Sequence, residues 1–147
     1  VEGINHGSRL EDMMTNTKIR FINPNALPKP NGYTHVVEVQ GGKTVYLSGQ
    51  VALGADGTVV GEGDFEAQAR QTFRNIQAGL EVVGLDFSHV VKLNLYVLNI
   101  SNLLTLRQVR DEFVNLEHPP ASTLVQVAAL FRPEFVFEAD AIAVAPE

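Results

Sequence analysis

Between Pro119 and Val144 the chain carries two apolar runs in succession, PPASTLVQVAAL and FVFEADAIAV, separated only by Phe131-Arg132-Pro133-Glu134. Runs of this length with period-two spacing read as strands, whose successive side chains point to opposite faces. In the first run Ala121, Thr123, Val125, Val127 and Ala129 share one face, and Ser122, Leu124, Gln126, Ala128 and Leu130 the other. In the second, Phe135, Phe137, Ala139, Ala141 and Ala143 oppose Val136, Glu138, Asp140, Ile142 and Val144. Both strands are apolar on both faces, so one covering layer leaves a patch too large for a soluble monomer. A sheet of this kind is expected to pack against copies of itself.

The rest of the chain supplies the other layers. Thr34–Val39 and Thr44–Val51 are β-rich runs around Gly41-Gly42-Lys43, a hairpin signal. Before them, Asn23-Pro24-Asn25 and Pro28-Lys29-Pro30 favour an extended or turning path. Ala55-Asp56-Gly57-Thr58 reads as a tight turn. Phe65, Ala69, Phe73, Ile76, Leu80 and Val83 form one helical stripe, with Asp64 placed to cap it and Gly84 to stop it. Val90–Ile100 alternates, Val91, Leu93, Leu95 and Val97 against Lys92, Asn94 and Tyr96. A second helix, capped by Ser101 or Asn102, carries Leu106, Val109, Phe113 and Leu116 until His118-Pro119-Pro120 ends it. The order β-β-α-β-α-β-β predicts an α+β sandwich, with two helices on one face of a mixed sheet.

Length and charge narrow the function. At 147 residues one domain is expected. Val1 to Met13 shows no periodicity and reads as a vector-derived or disordered leader, which leaves 14–147 as the domain. Net charge is −6, of which Glu2, Glu11 and Asp12 against Arg9 place −2 in the leader. The eleven basic residues are scattered, which argues against a nucleic-acid surface. No stretch is long enough to cross a membrane as a helix. The absence of cysteine fits a reducing cytoplasm.

Chemistry has few places to sit. Glu138 and Asp140 point to one strand face, and two readings of the pair are open. Burial and like charge can raise one pKa into the range of a general base or water-positioning group. Alternatively both are solvated acids on an exposed edge. The apolar neighbours Ala139, Ala141 and Ile142 mark Asp140 as the more buried of the two. His6, His35, His89 and His118 are too far apart in sequence for metal-ligand spacing, so no metal is expected. Ser48 has no nearby histidine and fits a hydrogen-bonding role at a strand end better than a nucleophile. Tyr33, after Asn31-Gly32, is either a pocket phenol or a half-buried turn aromatic.

Several pieces together resemble the YjgF/RidA family (Rid, endoribonuclease L-PSP-like). They are Gly32-Tyr33, Val45-Tyr46-Leu47-Ser48-Gly49-Gln50-Val51, Ala67-Gln68-Ala69-Arg70-Gln71, Val90-Val91-Lys92-Leu93, Pro120-Ala121 and Glu138-Ala139-Asp140-Ala141-Ile142-Ala143-Val144. The resemblance implies a chorismate-mutase-like α+β fold and a homotrimer whose sheets form a central barrel, with a pocket at each subunit interface. It further implies hydrolysis of enamines and imines such as 2-aminoacrylate, without metal or organic cofactor. An arginine grips the substrate carboxylate, and a carboxylate near the C-terminus handles water and protons. Carried over, Tyr33, Ser48 and Gly49 match pocket positions, and Asp140 stands at the water-handling position. The family's Pro-Ala-Arg-Ser signature falls on Pro120-Ala121-Ser122-Thr123, so Ser122 replaces the arginine and Thr123 lies beside it. Losing a bidentate contact to a carboxylate costs roughly 1.5–3 kcal/mol, more than tenfold in binding. The expectation is a trimer with interfacial pockets for a small polar or carboxylate-bearing metabolite, in which 2-aminoacrylate-type deamination is weak or absent. Two alternatives stand beside it: an enzyme for a different imine, enamine or unsaturated acid, and a ligand-sensing interaction module. Arg107, on the second helix, either supplies the missing cation or is a solvent-facing helix charge.

Overall fold

The computed structural model describes residues 16–147. The leader expected at 1–13 lies outside them. Among the described residues, six strands and two helices follow in the order β1 (Lys18–Ile22), β2 (Val36–Gln40), β3 (Lys43–Gln50), α1 (Phe65–Val82), β4 (Val90–Val97), α2 (Leu103–Asp111), β5 (Ala121–Gln126) and β6 (Phe137–Ala145). Short 3₁₀ turns at Phe87–His89 and Ile100–Asn102 lead into β4 and α2.

The main sheet runs β3-β6-β4-β5, antiparallel except for the parallel β4/β5 pair. A parallel pair needs a crossover, and α2 lies in the one that joins β4 to β5. α1 packs on β6 and β3, and α2 packs on α1. The layers meet in a core built around Phe73, Ile76, Leu80, Leu93, Leu95, Leu106, Val109 and Phe137. Phe73 stacks on Phe113 at 5.3 Å and lies 5.8 Å from Phe137, so one ring of α1 links the turn after α2 to the sheet. This is the α+β arrangement expected from the periodicity.

α1 begins and ends as its sequence predicts. Asp64 accepts a hydrogen bond from the Ala67 amide at 3.0 Å, and Gly84 follows the helix at φ +75°. Buried Gln68 and half-buried Asn75 then tie α1 to the loops. Gln68 donates to the Glu134 carbonyl and accepts from the Val136 amide, while Asn75 donates to the carbonyls of Val51 and Leu53.

Other expectations need correction. Lys18–Ile22 forms a strand, which the proline-rich reading of 17–30 did not foresee because its prolines all lie beyond Ile22. β2 pairs with β1 in a separate two-stranded sheet, so Gly41-Gly42 bends the chain from one sheet to the other without closing a paired hairpin. α2 stops at Asp111, leaving Leu116 61% exposed. Its cap is displaced as well. Asn99 caps the preceding 3₁₀ turn through the Ser101 amide, and Asn102 makes no side-chain cap. β5 ends at Gln126 instead of Phe131, because 127–136 must carry the chain past β4 to reach the inner position of β6.

The uncovered face is also more polar than expected. Leu95 pairs with Leu124 in register, which turns Leu124 toward the helices. The bare face presents Lys92, Asn94, Tyr96, Glu138 and Asp140 in a band. Beside this band Tyr46 is 77% exposed and Val125 40%.

Candidate functional site

Two concavities hold the chemistry, one on each side of the sheet. The first lies where α2 meets the β5 edge. Thr34 fixes its rim by donating from its amide to the Pro120 carbonyl (3.1 Å) and from its hydroxyl to the Pro119 carbonyl (2.6 Å). His35 adds two contacts, its amide to Asn23 Oδ1 and its ring to the Pro28 carbonyl, and lies edge-on to Tyr33 at 5.1 Å. The proline-rich segment is thereby held against the start of β5. The enclosed space, about 140 Å³, is lined by Asn31, Tyr33, Arg107, Arg110, Ser122 and a wall of leucines.

Three residues marked from sequence, Tyr33, Arg107 and Ser122, thus meet in one cavity. A fourth polar group was missed. Arg110 is only 6% exposed, with Nε and Nη2 both donating to one oxygen of Asp111 at 2.9 and 2.7 Å. Gly32, at φ +75°, lies directly over this guanidinium, and a side chain there would collide with it. The signal was present in the sequence. Arg110 stands four residues after Leu106 and three before Phe113, inside the buried stripe of its helix.

The second concavity, about 330 Å³, opens on the bare face and is lined by Gly49, Tyr96, Glu138, Asp140 and residues of the β5–β6 connection, Phe131 among them. Asp140 accepts from Asn94 Nδ2 at 2.8 Å and from the Tyr96 hydroxyl at 2.9 Å, one donor on each oxygen. That hydrogen bond to the carboxylate, then burial, raises the Tyr96 pKa. Glu138 lies across from Tyr96 and against Gly49, where a Cβ would strike its carboxyl. Burial, then the Asp140 charge, pushes the Glu138 carboxyl above its usual range. The two acids fall in the same class of exposure, which does not rank Asp140 above Glu138. Both are half-buried, and burial disfavours the charged form of Glu138.

Ser48 and Thr123 line neither space. Ser48 is exposed at the bulge of β3, where the register jumps from Leu47 to Gln50. Thr123 faces away from Ser122 by strand alternation and accepts from Lys92 Nζ at 2.9 Å. The same alternation keeps Ser122 and Asp140 apart, since Ser122 shares a face with Leu93 and Asp140 with Asn94. A larger hollow of about 410 Å³ beside Asp86 and Glu112 contains none of the residues marked from sequence. Among the described residues no group of three or more His, Cys, Asp or Glu side chains is placed to hold a metal ion. Among them, too, no helix is long and apolar enough to cross a membrane.

Known proteins share this architecture. The family described as Endoribonuclease L-PSP matches residues 24–145. Protein DfrA of Myxococcus xanthus is 38% identical over 126 residues, covering 85% of this chain and 95% of the relative. A 2-iminobutanoate/2-iminopropanoate deaminase of Dermatophagoides farinae is 34% identical over 106 residues, 71% of this chain and 81% of the relative. Among solved structures, the Rid-family protein YyfB of Yersinia pestis superimposes with a TM-score of 0.78 at 34% identity, covering 86% of this chain and 98% of that one. The match spans both concavities, from the Tyr33 loop to the end of β6, and on it this chain belongs to the endoribonuclease L-PSP family, the YjgF/Rid proteins.

Proposed function

We propose that this chain binds a small carboxylate-bearing metabolite through Arg107 and Arg110, and that its deamination of 2-aminoacrylate-type imines is weak or absent. The observation that carries this reading is the single cavity that gathers Tyr33, Arg107 and Ser122 around a buried guanidinium. Serine at position 122 is too short to form the bidentate contact an arginine makes with a carboxylate. Arg110 has two of its donors engaged by Asp111, so its Nη1 end and the half-buried Arg107 are the cations left for a ligand. A cavity of about 140 Å³ suits a keto or imino acid of a few carbon atoms.

The site is completed by a second copy of the chain in a homotrimer. Ser122 and Asp140 occupy opposite faces of one sheet, so a single pocket can hold both only if the bare face of one subunit meets the β5 edge of the next. The exposed Tyr46, Val125 and Phe131 on or beside that face favour such an interface. The trimer acts in the cytoplasm, the compartment a cysteine-free chain suits.

Calorimetry with pyruvate and 2-oxobutanoate tests the ligand class. Arg107→Ala is expected to weaken binding about tenfold or more, and equal affinity in wild type and variant would refute the anchor. Ser122→Arg should raise hydrolysis of 2-iminopropanoate generated in situ. Robust turnover by the wild-type chain would overturn the reading of a weakened enzyme.

A further inference from the structure

Resting on the two-subunit site just proposed, we infer that Glu138, and not Asp140, is the carboxyl group that carries protons in this chain, with Asp140 as the group that positions it. The geometry separates two acids that their spacing makes look equivalent. Each oxygen of Asp140 already accepts a donor, Asn94 on one side and Tyr96 on the other. These two charge-assisted contacts from β4 fix the Asp140 rotamer and commit both of its oxygens to donors of the protein itself. Glu138 accepts no hydrogen bond from a described residue, and its carboxyl rests against the bare Cα of Gly49 at the concavity wall. It is the acid free to exchange a proton with a molecule in that space.

The chemistry balances with water as the only co-reactant. Protonated Glu138 gives its proton to the imine nitrogen while water adds to the imine carbon and returns a proton to Glu138, forming a carbinolamine. Glu138 then protonates the amine. The C–N bond breaks as the oxygen lone pair forms the C=O bond, the hydroxyl proton returns to Glu138, and ammonia leaves. Asp140 takes no part in these proton transfers. Its fixed negative charge beside Glu138 favours the protonated form that starts the cycle.

The titratable groups facing Glu138 are Asp140 on its own strand and Tyr96 on β4, while the adjoining β3 residues Gly49 and Gln50 carry no charge. Removing the charge of Asp140 should therefore move the titration of Glu138 to lower pH. The test measures hydrolysis of 2-iminopropanoate, generated in situ, in wild type and in Ser122→Arg, each with Glu138→Gln or Asp140→Asn, as a function of pH. Glu138→Gln is expected to reduce turnover by at least a hundredfold. Asp140→Asn is expected to cost less than tenfold and to shift the falling limb of the pH profile to lower pH. Carbon-detected NMR titration of the Glu138 carboxyl follows the same shift without any turnover. Comparable losses in the two variants, an active Glu138→Gln, or an unmoved limb would overturn the assignment. So would absence of turnover in both backgrounds, and pyruvate binding measured on the same samples then shows separately whether the carboxylate site stands.

Discussion

Glu138 ties stability to pH in the direction opposite to most carboxylates. Its folded pKa lies above its ordinary value, so the folded chain binds more protons than the unfolded chain between the two. Stability is full below the ordinary glutamate pKa and is lost as pH rises through the folded one. Glu138→Gln removes the titration, and its melting temperature should exceed that of wild type at pH 7 by on the order of 1 °C, solvent screening keeping the gain small. Scanning calorimetry at pH 4 and pH 7 checks this, and an equal difference at both would contradict it. Thr72 is a second residue with a one-sided cost. Among the described residues its hydroxyl on α1 is buried without a partner, so Thr72→Val, of the same shape, should stabilise by about 1 kcal/mol in denaturant titration.

Among the elements, the two helices begin differently. α1 has a side-chain cap in Asp64, whereas Asn102 at the start of α2 makes none. Asp64→Ala is expected to cost about 1 kcal/mol, a fall of roughly 2–4 °C in Tm for a chain of this size. Asn102→Ala should change Tm by less than the error of the measurement, and a comparable loss there would show that α2 depends on a cap the geometry does not contain. α1 was readable because its stripe, cap and terminal glycine all pointed to one helix. α2 was misread at its C-terminal end because Phe113 and Leu116 continue the apolar spacing after the helix has stopped. Phe113 still reaches the core from the following turn, where it stacks on Phe73, and Leu116 does not.

At the scale of the whole molecule, the proposed two-subunit site ties binding to assembly. Sedimentation should give three times the 16.0 kDa chain mass. Val125→Asp, which puts a charge on the exposed apolar side of β5, should shift the population toward monomer and weaken pyruvate binding in parallel. A monomeric wild type, or a dissociated variant with undiminished affinity, would rule out a pocket shared between subunits.

Local sequence, through the strand alternation and the α1 stripe, was enough to determine the sandwich class, and the pieces around Tyr33, Ser48-Gly49 and Glu138–Val144 were enough to place the chain in its family. It also drew attention to Ser122, where the family resemblance leads one to expect an arginine. Which residues meet was decided by tertiary structure. Position in a strand sets the parity of a side chain, but the face it joins depends on register with a neighbour distant in sequence. The parallel pairing of β4 with β5 sends Ser122 toward Arg110, and the antiparallel pairing of β4 with β6 sends Asp140 to Asn94 and Tyr96. Glu138 and Asp140 look alike on one strand, and it took the donors that reach Asp140 from β4 and the contact of Glu138 with Gly49 to distinguish them.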